Sequence, residues 1–270
     1  MHSPEFDPRL LELAMSLHAT SKAEINKYCA LVVGRRGTGK THMLATAPRP
    51  LLIDSFDPNG TNIAALKPGI EDGSILIRRF ERDEWKNPHA IREWTNMFDE
   101  HGALGLYDRI KTYAIDSMTP FSRYVLWEII GKTGGQADHT PSWPDYKRMK
   151  YTMLNVINKL MDLPCNVIMT GHIWVGRDES TQEPVSGVLL PPSMADEIPN
   201  AFTELWITRI VGGGTKREYK LQMKNDGRFT ATTRMGMDCF DTLEEPNIRE
   251  LLKKAKMPSE NGDKLIQTKE

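Results

Sequence analysis

With 270 residues, 39% of them hydrophobic and 26% charged, the chain has enough apolar content for a sizeable core, which excludes the disordered and fibrous classes. Its formal net charge of −1 excludes a protein that coats polyanions with its whole surface, so any nucleic-acid contact must come from a local basic region. The three cysteines, Cys29, Cys165 and Cys239, lack CxxC or Cys/His spacing and argue against a disulfide framework or a zinc site, and Cys29 and Cys165 sit in apolar runs as small core residues would.

Residues 1–27 read as an arm or cap: a polar lead-in with a short amphipathic helix around Leu10–Leu17. Acids and prolines stand where a signal peptide needs a basic and then an apolar segment, and no apolar run approaches a membrane span, so a soluble cytoplasmic protein is expected. The apolar run Tyr28–Val33 predicts a buried strand, followed by a glycine-rich loop and a helix opening near Lys40. Short strands follow at Leu51–Ile53 and Ile75–Phe80, then a helix with apolar spacing at Ile91, Trp94 and Phe98. Thr112–Ile115 predicts a fourth strand, stopped by Asp116-Ser117 and followed by a helix. A polar Gly/Pro-rich stretch from Gly131 to Asp145 leads to a helix from Tyr146 and a fifth strand in "NVIMTGH". The segment from Val175 to about Pro192 has no strong pattern and is expected as a loop. "ELWITRIV", "REYKLQMK" and "FTATTRM" predict strands joined by turns at "GGGT" and "NDG", and residues 237–270 a short helix with a polar tail. Strands alternating with helices predict an α/β fold over residues 28–236: a mainly parallel sheet covered on both faces, with a C-terminal antiparallel extension.

Gly34-Arg35-Arg36-Gly37-Thr38-Gly39-Lys40-Thr41 matches GxxxxGK[ST] in full, between a strand and a helix. The glycines let successive backbone N–H groups turn toward one concavity that cradles the phosphates of ATP. Lys40 reaches the β- and γ-phosphates and Thr41 offers its hydroxyl to Mg2+. The same chemistry needs a carboxylate at the end of a neighbouring buried strand, and Asp116 in "TYAIDS" supplies it as the second metal-organising residue.

The order of "GRRGTGKT", "LLIDSFDPNG", "YAIDSMTPFSRYVL" and "VIMTGH" resembles that of the RecA-like recombinases. It is nearest to the small phage and prophage ATPases called AAA_24 or Sak-type single-strand annealing proteins, over about Tyr28 to Gly236. The resemblance implies a RecA-like P-loop NTPase fold. It also implies a water-polarising acid in the segment Ile53-Asp54-Ser55-Phe56-Asp57, where Phe56 takes the place in which the family commonly has Glu. Asp57 ranks first for that role, with Asp54, Glu81 and Glu84 as alternatives; Asp54, Asp57 and Asn59 equally suit an Asx-rich turn. His172 holds the place of the γ-phosphate sensor.

The resemblance further implies single-stranded DNA facing two loops, matched by Gly131–Trp143 (with Lys132, His139 and Trp143) and Gly176–Pro191. The second loop sets Arg177 against Asp178, Glu179 and Glu183. Arg209, Lys216, Arg217, Lys220, Lys224, Arg228 and Arg234 outnumber Glu218 and Asp226 in the C-terminal strands. They suit a DNA backbone, or the ATP of an adjacent subunit in a ring or filament; Arg234 and Lys224 are the candidates for that trans role. Two readings stay open: a DNA-stimulated ATPase of phage-type recombination, annealing or repair, in the host cytoplasm if phage-encoded, and a nucleotide-gated accessory protein that assembles with a protein partner and hydrolyses ATP slowly. A small-molecule kinase is disfavoured by the lack of an arginine-rich lid segment.

Overall fold

The computed structural model describes residues 26–132, 140–177, 184–214 and 216–265; the helix expected around Leu10–Leu17, and His139, Asp178, Glu179 and Glu183, lie outside them. All six residues of β1 (Cys29–Gly34) are buried, as an unbroken apolar run on a central parallel strand requires. α1 (Lys40–Leu44) is only five residues long, because the chain meets Pro48 and Pro50 soon after it. Then come β2 (Leu51–Ser55), α2 (Lys67–Glu71), β3 (Ile75–Arg79), α3 (Ala90–Ala103), α4 (Leu106–Arg109) and β4 (Thr112–Asp116). α5 (Met118–Lys132) and α6 (Trp143–Met161) follow. α6 starts earlier than its apolar pattern suggests, since Ser142 and Asp145 form a capping box and Pro144 fits the first turn.

β5 (Asn166–Arg177) and β6 (Pro184–Val188) pair antiparallel, from Ile173 opposite Val188 to Arg177 opposite Pro184. The loop expected over Val175–Pro192 is therefore largely a hairpin. Its strand pattern is hard to read because Trp174, Gly176 and Gly187 interrupt the apolar alternation, and the indole of Trp174 covers both glycines. The chain ends with α7 (Pro192–Ala195), α8 (Glu197–Asn200), β7 (Glu204–Val211), β8 (Glu218–Gln222), β9 (Leu243–Glu244) and α9 (Ile248–Lys254). The strand expected at "FTATTRM" does not form; only Thr232 bridges Leu205. β8 already occupies that edge of β7 from Ile207 to Val211, which leaves only Glu204 to Trp206 for the returning chain.

The sheet order is β3-β2-β4-β5-β1-β7-β8-β9, with β6 on β5. β1 pairs parallel with β5 and β7, and β2 with β3 and β4, whereas β7-β8 and β8-β9 are antiparallel. This is the expected α/β architecture with its antiparallel extension. Strand alternation splits the core into two layers. Leu31, Leu52, Tyr113 and Met169 pack under α3, α5 and α6, while Val32, Ile53, Ala114 and Ile168 pack with Met43 and Leu44 of α1. α9 joins that second layer through Ile248, Leu251 and Leu252, so part of the C-terminal region expected as helix and tail is buried against the core. Among the described residues no helix is long and apolar enough to cross a membrane.

Asp54 and Arg78 lie opposite each other on β2 and β3, on the α3 side of the sheet. Arg78 Nε and Nη2 donate to the two carboxylate oxygens at 2.6 Å each, Trp94 Nε1 donates to Oδ2 at 2.9 Å, and the Tyr113 hydroxyl donates to the same oxygen. Removing the carboxylate leaves a largely buried guanidinium without its partner, so Asp54→Ala is expected to lose about 3–5 kcal/mol of unfolding free energy in urea titrations. Thiol accessibility gives a second check. Burial pushes the Cys29 thiol up to about 11 and the Cys165 thiol up to about 12, whereas Cys239 is exposed. A colorimetric thiol reagent should therefore modify Cys239 alone in the native protein, and all three cysteines in denaturant.

Candidate active site

The phosphate loop is shaped by what its glycines permit. A Cβ on Gly34 would stand 2.0 Å from Thr208 Oγ1 and 2.6 Å from Thr38 Oγ1, so only glycine leaves the strand room to turn. Gly37 and Gly39 have φ of +79° and +90°, in the left-handed region that side chains avoid. Thr38 Oγ1 donates to the Arg35 carbonyl at 2.7 Å and shares a 2.7 Å hydrogen bond with Thr208 Oγ1, which fixes the loop to β7. Lys40 Nζ donates to the carbonyls of Gly34 and Arg35, 3.0 Å each, arching over the loop it follows. Burial lowers the Lys40 pKa, and Asp116 and Asp57 oppose that shift.

Asp116 ends β4 at 1% exposure, and its peptide bond to Ser117 is cis. Thr41 Oγ1 donates to Asp116 Oδ2 at 2.8 Å, and the Thr170 hydroxyl donates to Oδ1. Burial raises the Asp116 pKa, with the Thr170 and Thr41 hydrogen bonds pulling it back. Thr170 was not singled out in the sequence. Its only signal is its place two residues before His172, on the same face of β5.

The alternation of β2, continued beyond its end, sorts the candidate acids. Asp54 and Phe56 fall on the helix-covered face, away from the phosphate loop. Phe56 is fully buried, with ring centroids of Phe121 and Phe80 at 4.9 and 5.3 Å, so the position that resembles the family's Glu points into the core. The Arg78 pair occupies Asp54, which removes it as a water-activating acid. Asp57 takes the other face: it lines the cleft beside Lys40 and Thr41, and Ser117 Oγ donates to its Oδ2 at 2.7 Å. Glu81 accepts from Ser55 Oγ at 2.9 Å and from the Asn59 N–H at 3.1 Å, so it braces the turn that carries Asp57. Glu84 is exposed and does not line the cleft.

The cleft encloses about 540 Å³, a size suited to a nucleotide. Arg36, Gly37, Gly39, Lys40, Thr41, Asp57 and His172 line it, joined by Tyr219 from β8, which sequence reasoning passed over. Gly34 and Thr38 support the loop from below, and the Arg35 side chain lies in a different cleft, beside Arg209. His172 stands opposite Gly34 in the β1-β5 register, and its N–H donates to Thr119 Oγ1 at 3.2 Å. Arg234 does not reach its own phosphate loop: its N–H donates to Glu204 Oε1 at 2.9 Å, and Glu204 begins β7 whereas Thr208, beside the loop, lies farther along it. Trp143 is 76% exposed at the start of α6. Lys220 is bound by Glu218 at 3.2 Å and by Glu245.

The site residues fit a magnesium nucleotide. Two left-handed glycines shape an open concavity, one lysine projects over it, and a buried carboxylate is already aligned on the Thr41 hydroxyl. His172 provides a pH test of this geometry. Burial and the Lys40 charge hold its pKa below the ordinary 6.5, so the unfolded chain takes up this proton at higher pH than the folded one. Stability tied to neutral His172 is present at neutral pH and is lost as the pH falls below the unfolded value. His172→Gln should lose less stability than wild type between about pH 7 and about pH 5 in urea denaturation.

The AAA_24 family model, described as an AAA domain, matches residues 26–234. No curated protein matches the chain. A crystal structure of a KaiC-like protein from the hyperthermophilic archaeon Pyrococcus horikoshii OT3 aligns with a TM-score of 0.42 at 10% identity, covering 77% of this chain and 82% of that one. With most of its length matched, and a complete phosphate loop set beside a buried Asp116 on a mainly parallel sheet, the chain belongs to the AAA_24 family of P-loop ATPases.

Proposed function

We propose that the protein is a magnesium-dependent ATPase that works as a homo-oligomer on single-stranded DNA, in recombination, annealing or repair of the phage type. The observation that carries the hydrolytic part is the convergence of Lys40, Thr41, Asp116 and Asp57 on one edge and one face of the sheet. Lys40 and the loop N–H groups hold the β- and γ-phosphates, and Thr41 with Asp116 would hold Mg2+. The bound ion neutralises charge that develops on the phosphate oxygens. Ser117 fixes one oxygen of Asp57, which leaves the other to accept a hydrogen bond from the attacking water. His172, kept neutral by burial, is positioned to hydrogen-bond the γ-phosphate region.

Arg209 is tied to Asp226 and Lys220 to Glu245, so fewer C-terminal cations are free than the sequence count suggests. Arg234 lies away from its own nucleotide cleft and can serve ATP only from a neighbouring subunit. A second reading is favoured by the burial of Phe56 where the resembling family has Glu: a nucleotide-gated accessory protein that assembles with a protein partner and turns over slowly on the shorter Asp57.

Lys40→Ala should abolish turnover and greatly weaken ATP binding in calorimetry; unchanged affinity would refute the assignment of the loop. Asp57→Asn should leave ATP binding nearly intact and slow turnover by on the order of 10²-fold or more. Asp116→Asn should impair both. ATPase rates with and without single-stranded DNA, together with light scattering for assembly, separate the two readings. A monomer whose ATPase ignores DNA is the accessory protein. A mixture of Arg234→Ala and Lys40→Ala subunits that regains activity places Arg234 across the subunit interface.

A further inference from the structure

The side of the phosphate loop turned away from the nucleotide carries a second cleft, of about 360 Å³. Arg35 and Arg36 come to it from the loop, Arg209 from β7 and Arg228 from the segment after β8. Arg209 and Arg228 stand over the Phe229 ring, with 4.5 and 5.2 Å from guanidinium carbon to ring centroid, so a buried aromatic holds both cations in place. Asp226 binds Arg209 at 2.8 Å; Arg35, Arg36 and Arg228 carry no ion pair among the described residues. Four guanidinium groups thus face one carboxylate in a chain whose charges otherwise nearly cancel. Ile173 and Ile207 continue from this cleft into one of about 250 Å³ beneath the β5-β6 hairpin, whose walls are aliphatic at Val33, Val188 and Leu205 and which Asp196 and Asn200 also line.

Cations beside an apolar recess match a chain of phosphates whose bases are unpaired. A duplex keeps its base faces stacked inside and would leave the recess empty. An acidic peptide would satisfy the guanidinium groups but would leave the aliphatic walls unused and set its carboxylates against Asp196. We propose that this cleft holds the backbone of single-stranded nucleic acid, with a base in the apolar recess, and that the strand acts on the phosphate loop from there. The inference rests on the single-strand reading given above and assigns it a site. Two links join the cleft to ATP: Arg36 lines both cavities, and Thr208, next to Arg209, shares its 2.7 Å hydrogen bond with Thr38 of the loop. Linkage then requires ATP and the strand to change each other's affinity by the same factor.

Fluorescence anisotropy of a labelled oligothymidylate, titrated with the full-length protein and magnesium-ATP at several salt concentrations, tests the assignment. Arg228→Ala is expected to weaken binding roughly tenfold at moderate salt and to reduce the slope of log affinity against log salt by about 1. Arg228→Lys should keep the slope. The ATPase rate of Arg228→Ala without DNA should stay at the wild-type level while its stimulation by the oligonucleotide falls. If wild type binds oligothymidylate and both Arg228→Ala and Arg209→Gln bind with the same affinity and slope, this site is wrong and the single-strand reading survives. If wild type binds no oligothymidylate, both fall. An equal loss in Lys216→Ala, outside the cleft, would mean diffuse attraction and overturn the site; so would a duplex or polyglutamate of matched charge competing as well as the oligothymidylate.

Discussion

The carboxylate and carbonyl of one residue, Asp116, gather the parts of the site. Its side chain accepts from Thr41 at the end of the phosphate loop and from Thr170 on β5, while its carbonyl accepts the N–H groups of Phe56 and Asp57 at 2.6 and 3.2 Å. Three neighbouring segments are thus indexed to a single acid at the end of β4. A carboxylate at 1% exposure is costly in an apolar interior unless its oxygens are satisfied, and here the bond from Thr41 that satisfies one of them also positions a candidate metal ligand. Stability and function therefore draw on the same contacts.

The opposite face of the sheet is organised by a different logic. There Asp54, Arg78, Trp94 and Tyr113 form a closed polar network beneath α3, next to the aromatic cluster around Phe56. The network holds β2 and β3 in register but presents no group to the cleft. β2 consequently has two chemistries one residue apart. Odd-numbered positions from Ile53 lead to the nucleotide side, and even-numbered positions lead into the core.

Much of this was legible because it is local. A strand buried on both faces needs an unbroken apolar run, and a loop that wraps phosphate needs glycines at fixed offsets, so β1, the loop and Asp116 stand out from the residue order alone. What depends on a distant partner does not. Thr170 reads as a polar residue in an apolar strand until β5 is placed beside β4, and Glu81 reads as a possible catalytic acid until Ser55 and Asn59 are found on its oxygens. The β5-β6 hairpin and the missing strand at Phe229–Met235 depend on which sheet edges are still free, and neighbouring residues carry no record of that. Even the alternation that separates Asp57 from Phe56 becomes decisive only when the covering layer on each face is known.

The C-terminal segment has a consequence for the order in which the protein becomes competent. α1, too short to be stable alone, is backed by Ile248, Leu251 and Leu252, and the Ile248 N–H donates to Thr46 Oγ1 across 202 positions of chain. Asn261 Oδ1 accepts from the Arg49 N–H across 212 positions. The helix that carries Lys40 and Thr41 is therefore completed by residues made long after it. During synthesis the nascent chain holds its nucleotide-binding sequence long before it holds that sequence's support, and the site gains its final rigidity only when the end of the domain has left the ribosome.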